Sequence, residues 1–216
     1  MNKEDPFMTQ LTQTSCSAFA QALASKAPVP GGGGAAAMAG ALGAALCSMV
    51  GNFTTGKKKF AAVEADVQRM LAEADALRIR LMELVDEDAL AFEPLSRAYA
   101  IPKDDPARAQ VMEEATLNAC KAPVEMVACC GKVMVLLEEM LEKGSKMLIS
   151  DVGCGALLCK AAMESAALNV FVNTGTLRDR ETAANMEREV EAQLQVCLPL
   201  ADRIVSDVTA YIRKER

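Results

Sequence analysis

Histidine and tryptophan are both absent from the 216 residues, and aromatic residues make up only 4% of the chain. Without histidine the usual zinc spacings cannot be assembled, and a cysteine nucleophile has no imidazole to activate it. Positive charge is also scarce: 23 Lys and Arg stand against 29 Asp and Glu, a net charge of −6. That balance argues against general nucleic-acid binding, which needs a basic surface to displace counterions, although a local basic spot can still hold a small anion. The eight cysteines (16, 47, 120, 129, 130, 154, 159 and 197) include no Cys-x-x-Cys, and the adjacent Cys129 and Cys130 would form a strained disulfide. All eight read as small apolar fillers in a reducing cytoplasm. Glu4 and Asp5 stand where a signal peptide would carry basic residues before an apolar run. A cytoplasmic location is expected.

What is present is Ala, Leu, Met and Val, residues that build thin-walled, closely spaced helices. Leu11, Phe19 and Leu23 fall at helical spacing within residues 6–26, with Thr14 or Ser15 as cap. Residues 57–93 read as one long helix, with Val63, Val67, Met70, Leu77, Leu81 and Leu84 on one face and Glu64, Asp66, Glu73 and Asp75 on the other. Pro94 is expected to kink or end it. Asp104 or Asp105, with Pro106 in the first turn, opens the next helix, which is kinked at Pro123 and closed by Gly144. Ser150 or Asp151 caps a further helix, and the last runs from Arg178 to about Arg213, bent near Pro199. Strand-like alternation is confined to "NVFVN", and no repeat or linker is visible. The expectation is one all-α domain over residues 1–216, an antiparallel bundle of about six to eight helices with long kinked members.

Between Lys26 and Lys57 no charge occurs, and "APVPGGGGAAAMAGALGAALCSMVGN" fills the gap. About 20 apolar residues suffice to cross a bilayer, but Gly, Ala and Ser gain little from lipid, and no aromatic residues mark both ends. A membrane partner is therefore not expected. A Walker loop requires Lys directly after its glycines and a strand before them, and a dinucleotide-binding glycine loop requires the same strand; neither condition holds. A third reading is a helix packed on all sides. Gly33, Ala37, Gly40 or Ala41, Ala44 and Ser48 form a ridge of small residues that lets a neighbouring backbone come close. The leading glycines then expose backbone N–H groups at a helix N-terminus, where anions are favoured.

The order of motifs goes further. "LASKAPVPGGGGAAAMAGALGAALCSMVGNFTTGKKKF" resembles the opening of the formiminotetrahydrofolate cyclodeaminase and methenyltetrahydrofolate cyclohydrolase family, with its P-x-P-G-G-G, small-residue helix and G-K-K element. "VDEDALAFEPLSRAYAIPK" is similar to that family's D-x-D-A-x-A-F block, and "SDVGCGALLCKAAMESAALNVFVNTGTLRD" to its S-D-x-G helix and N-V-x-[IV]-N. The matches run in order from about Phe19 to Asp179.

The resemblance implies an all-helical homodimer acting on the carbon that bridges N5 and N10 of tetrahydrofolate. A cyclohydrolase adds water to the methenyl bridge and opens it to the 10-formyl form. A cyclodeaminase closes a 5-formimino group and expels ammonia. The two differ in a leaving group rather than a motif. Neither needs a metal or a cofactor beyond the tetrahydrofolate substrate. Proton transfer without histidine falls to a carboxylate, Lys, Tyr or Cys. Asp88, followed by Ala89, Leu90, Ala91 and Phe92, matches the family's acidic position, and desolvation there is expected to raise its pKa. Asp86 is the second catalytic candidate.

For substrate binding the resemblance points to Pro30, Gly31, Gly32, Gly33 and Gly34 as pocket wall. Lys57 or Lys58 would pair with folate carboxylates, and Asn52, Asn169 and Asn173 would hydrogen-bond the pterin edge. Asp151 is either a helix cap or a pterin-binding carboxylate. Ala35 stands where many relatives place Ser, so any hydroxyl contact from that position is lost or replaced. Two further classes remain: a non-catalytic folate-binding dimer or partner of a formiminotransferase, and a purely structural dimerising bundle.

Overall fold

The computed structural model describes residues 10–214. Six α-helices carry the fold: α1 Cys16–Leu23, α2 Gly32–Asn52, α3 Glu64–Ala98, α4 Arg108–Lys143, α5 Ile149–Thr174 and α6 Arg180–Lys214. Short 3-10 turns at Leu11–Gln13, Lys58–Val63 and Lys146–Leu148 lead into α1, α3 and α5. No strand occurs among the described residues, and "NVFVN" belongs to the last turns of α5. The start of the expected first helix, residues 6–9, lies outside the described residues.

Local chemistry explains most of the boundaries. Ser15 caps α1, its hydroxyl accepting from the Ala18 N–H at 3.1 Å. Gly144 closes α4 in an extended conformation. Asp179 caps α6, accepting from the Thr182 N–H at 3.0 Å and the Thr182 hydroxyl at 2.7 Å. Several expectations shift by a turn. The long helix begins at Glu64 rather than residue 57, because a 3-10 turn precedes it. The α5 N-cap is Leu148, so Ser150 and Asp151 lie inside the helix. Asp105 accepts from the Ala107 N–H at 2.8 Å, one residue ahead of α4, and Pro106 sits outside that helix. Pro94, Pro123 and Pro199 all lie inside helices that continue past them.

The core forms around α2, which packs against α5 and α3 and also touches α4. α2 and α5 run antiparallel, since Gly32 faces Asn169 while Gly43 faces Gly155 and Cys159. The small-residue ridge does what its composition requires. A Cβ at Gly40 would fall 2.5 Å from Cys130 Sγ, and one at Gly43 would fall 2.5 Å from Cys159 Sγ and 3.1 Å from the Gly155 carbonyl. By length and apolar composition alone α2 and the segment Lys146–Thr174 can cross a membrane; here α2 is a core helix with neighbours on three helices. All eight thiols are free. Six are buried fillers, whereas Cys16 and Cys154 are exposed, against the expectation for all eight. Burial pushes the Cys47 thiol up to about 12 and those of Cys120 and Cys129 to about 11, so they stay protonated.

Candidate active site

The glycine-rich N-terminus of α2 lies beneath Asp88 of α3. Gly31 is the N-cap, with extended backbone (φ −114°, ψ −162°), and none of the glycines at 31–34 has positive φ. The glycines are there for space. A Cβ at Gly33 would sit 2.6 Å from Asp88 Cγ, inside the carboxyl group's own contact distance. One turn of helix with exposed N–H groups is thus brought directly under a carboxylate, a favourable pairing for the negative charge. Even so, burial pushes the Asp88 carboxyl up from its ordinary 3.8 to about 6, with the hydrogen bond from the Gly34 backbone pulling the other way.

Around this pair four helices and the loop before α2 line a cavity of about 280 Å³. The Pro28–Gly33 lip forms one side, and Asp88 and Phe92 of α3, with Tyr99 just past its end, form another. Ala119 and Pro123 come from α4, and Asn169, Val172 and Asn173 from α5. The volume lies at the lower edge of small-molecule pockets, which run about 300–1,000 Å³. It suits a single fused ring system.

The two asparagines of the wall are held from behind. Proline at 123 has no N–H to give the carbonyl four residues earlier, and the Asn173 amide supplies it instead, donating to the Ala119 oxygen at 3.3 Å. The Asn169 amide donates to the Ser165 carbonyl at 2.8 Å. With both NH2 groups engaged, the two Oδ1 atoms are left as acceptors for a ligand's N–H groups.

The sequence-derived candidates therefore divide. Gly31, Gly32, Gly33, Asp88, Asn169 and Asn173 line one cavity. Pro30 and Gly34 stand just behind it, 3.5 Å from Pro30 Cβ to the position of a Cβ on Gly34. Asp86 is elsewhere: the two-residue step between 86 and 88 rotates about 200° around the helix, which turns Asp86 to another face of α3. It accepts from the Leu11 N–H at 2.7 Å and the Thr12 hydroxyl at 2.6 Å, pinning the N-terminal 3-10 turn to α3. Asn52 is exposed at the C-terminus of α2, about 30 Å from Gly32 at about 1.5 Å per residue. Lys57 and Lys58 follow it in the exposed loop, where Lys57 Nζ donates to the Phe53 carbonyl at 2.6 Å. Asp151, in the first turn of the antiparallel α5, lies at that same far end. None of these five meets Asp88 within the protomer.

Sequence reasoning missed Phe92 and Tyr99 as wall residues. Phe92 stands four residues after Asp88 and Tyr99 eleven after, both on its helical face, so the 3.6-residue period carried the signal. Ala119, Pro123 and Val172 carry no chemical signal that singles them out.

This geometry can be set beside known proteins. The formiminotransferase-cyclodeaminase family model matches residues 15–192. A methenyltetrahydrofolate cyclohydrolase of Methylorubrum extorquens is 42% identical over 198 residues, 90% of this chain and 95% of that protein. A formimidoyltransferase-cyclodeaminase of Mus musculus is 29% identical over 95% of this chain, which spans only 38% of that longer relative. The crystal structure of a formiminotetrahydrofolate cyclodeaminase from Thermotoga maritima superimposes with a TM-score of 0.81 at 28% identity, covering 91% of this chain and 98% of that one. The chain belongs to the formiminotransferase-cyclodeaminase family.

Proposed function

We propose that this protein is an enzyme of folate one-carbon metabolism acting on the carbon between N5 and N10 of tetrahydrofolate, with Asp88 as its proton carrier. The single observation that carries the assignment is the Asp88 carboxyl, buried over the α2 N-terminus with a pKa near 6. A group that titrates near neutrality both takes and returns a proton efficiently. The similarity to the Methylorubrum cyclohydrolase, over nearly the whole of both chains, favours hydrolysis of the methenyl bridge as the first reading. Cyclodeamination is the second, favoured by the likeness to the Thermotoga structure.

In the hydrolytic direction the methenyl substrate carries a cationic amidinium carbon. Asp88, ionised, faces that cation and accepts a proton from the water that attacks it. The resulting tetrahedral carbon is bonded to N5, N10 and a hydroxyl. Asp88 then returns its proton to N5 as the C–N5 bond breaks, and the hydroxyl proton leaves to solvent, giving the 10-formyl product. In cyclodeamination the formimino group enters protonated, as C=NH2⁺; Asp88 takes the N10 proton as N10 attacks that carbon, then gives it to the resulting NH2 group, which leaves as ammonia. Neither route needs a metal or a further cofactor. Asn169 and Asn173 present carbonyl oxygens to pterin N–H groups, and Phe92 supplies an apolar ring to the pocket floor. One helical domain, a homodimer and a cytoplasmic location complete the reading, the second supported by the exposed Leu42 and Met49 of α2 and Leu157 and Leu168 of α5.

Purified protein should bleach the absorbance of 5,10-methenyltetrahydrofolate faster than buffer does, or generate it from 5-formiminotetrahydrofolate. An Asp88→Asn protein as fast as wild type in both assays would reject the role given to Asp88. Binding of folates without turnover of either substrate would instead support the non-catalytic carrier.

A further inference from the structure

The Asp88 cavity is polar at one end and aromatic at the other. Its inner end brings together Asp88, the first N–H groups of α2 and Asn169. A Cβ on Gly33 would meet the Asp88 carboxyl, and one on Gly32 would lie 3.5 Å from the Asn169 amide nitrogen. Phe92 and Tyr99 line the same cavity. Both follow Asp88 on its own face of α3, since steps of four and eleven residues end only about 40° and about 20° from where they began. Tyr99 is the C-cap and keeps helical backbone (φ −61°, ψ −28°), its N–H donating to the Leu95 carbonyl at 3.2 Å, so the spacing holds that far. The three residues therefore form a line along α3, with Phe92 rooted about 6 Å beyond Asp88 and Tyr99 about 16 Å beyond it.

The outer end of that line is open. α2 runs antiparallel to α3, for Gly33 faces Asp88 while Gly51 faces Leu71, so α2 begins at the level of Asp88. α5 runs parallel to α3 with Asn169 at the same level, and it ends soon after, at Thr174. α3 continues to Ala98, accompanied by α4, whose Arg108 Nε donates to the Ile101 carbonyl at 2.8 Å. Phe92 is packed against the core, whereas Tyr99 is 56% exposed. A helical side chain leans toward the N-terminus of its helix. The Tyr99 ring thus leans back over the cavity, which is how a residue rooted so far from Asp88 still lines it.

A folate has the same polarity. Its pterin carries the ring N–H groups, and its aminobenzoyl ring is joined to N10, the nitrogen bonded to the reacting carbon. A cavity of about 280 Å³ holds the pterin alone, so the aminobenzoyl ring must leave it. The inward direction along α3 is closed by Leu84 and Val85, both fully buried. The outward direction passes Phe92 and then Tyr99.

We infer that Phe92 and Tyr99 form the subsite for the aminobenzoyl ring of the substrate, Phe92 as its fixed wall and Tyr99 as the exposed ring that closes over it. Tyr99 acts through its ring face and moves no proton. The inference rests on the folate reading for its ligand and on the line of three residues along α3 for its geometry.

Truncating the ligand and the side chain in turn tests it. 5-Formyltetrahydrofolate carries the aminobenzoyl ring, 5-formyl-6-methyltetrahydropterin lacks it, and calorimetry gives a dissociation constant for each. Tyr99→Ala should bind the first about tenfold more weakly, the loss of one aromatic partner, and the second within about twofold of wild type. Turnover of whichever folate substrate wild type accepts should show the same loss in KM, with kcat changed by less than about threefold, because a contact made equally in ground and transition states raises KM alone. Tyr99→Phe should restore the affinity. Equal weakening of both ligands by Tyr99→Ala overturns the inference, since the ring would then serve the pterin or the fold. Unchanged binding of both overturns it as well. A Tyr99→Phe protein that keeps its affinity but loses kcat would show the hydroxyl moving a proton, and it too overturns the assignment. Wild type that binds neither ligand and turns over neither folate substrate rejects the folate reading itself, and the subsite falls with it.

Discussion

Gly33 and Asp88 are in such close contact that no side chain fits between them: an added Cβ would lie 2.6 Å from Asp88 Cγ. One is in the first turn of α2 and the other nearly seven turns into α3, so their contact fixes both the carboxyl's position and its surroundings. Gly33→Ala must push the carboxyl away from the α2 N-terminus. The expected outcome is a fall in kcat of at least about 100-fold, since misplacing a catalytic group by about 1 Å has that effect. The fold should survive, at a cost of about 1–3 kcal/mol for overpacking. Kinetics alongside thermal melts separate the two effects, and near-normal kcat with an intact fold would contradict the placement.

The Asp88 carboxyl predicts opposite effects of pH on activity and on stability. Activity requires the ionised form, so kcat/KM should fall below about pH 6 and level off above it. For stability, the folded carboxyl holds its proton up to about pH 6 while the unfolded one loses it near 3.8. Between those values the native state binds more protons, so stability falls as pH rises and stays lower above pH 6. Asp88→Asn should therefore abolish the acid limb and slow turnover about 10²–10⁴-fold. It should also stabilise the protein at pH 8 by on the order of 2 kcal/mol, with little effect at pH 4. Melting wild type and variant at both pH values checks the sign; a variant less stable at pH 8 would show that burial does not penalise the charge.

Asp86, two residues earlier, should behave differently. Its carboxylate ties Leu11 and Thr12 to α3 rather than facing the pocket. Asp86→Ala should release the 3-10 turn, speed amide exchange at Leu11, and cost about 1–2 kcal/mol. Turnover should change by less than about threefold. Loss of activity comparable to that of Asp88→Asn would return Asp86 to the catalytic candidates.

The contrast between these two aspartates shows how far the sequence could be read. Helical class and the close-packed α2 are short-range consequences of period and residue size, legible in one dimension, whereas the link from the glycines to Asp88, far apart in the chain, was carried by the family resemblance alone. Which of two nearby carboxylates enters a cavity depends on the rotation of α3 against α2, set by packing along its whole length. Asn52, Lys57, Lys58 and Asp151 were motif-borne, and no local rule reveals that a straight 21-residue helix carries them to the other end of the bundle. Asn173 shows the converse. Its amide is legible as polar, but its partner, the Ala119 carbonyl freed by Pro123, belongs to another helix 54 positions away.

The last prediction concerns the ridge that makes the close approach of α2 possible. A Cβ at Gly40 would meet Cys130 Sγ at 2.5 Å, with Leu81 Cδ2 and Cδ1 next at 3.3 and 3.4 Å. The sulfur is fully buried and cannot swing away, so Gly40→Ala alone should destabilise by about 1–3 kcal/mol despite alanine's better helix propensity. Cys130→Ala alone should also destabilise, by about 1–2 kcal/mol, through the void it leaves. Combined, the new methyl occupies the space the sulfur vacated, and the remaining contacts are ends of a flexible leucine. The double variant should therefore be more stable than the sum of the single losses by at least about 1 kcal/mol. Urea unfolding of the four proteins measures that coupling directly. Strict additivity would mean that α2 and α4 are not in contact through this pair, and that the glycine is there for another reason.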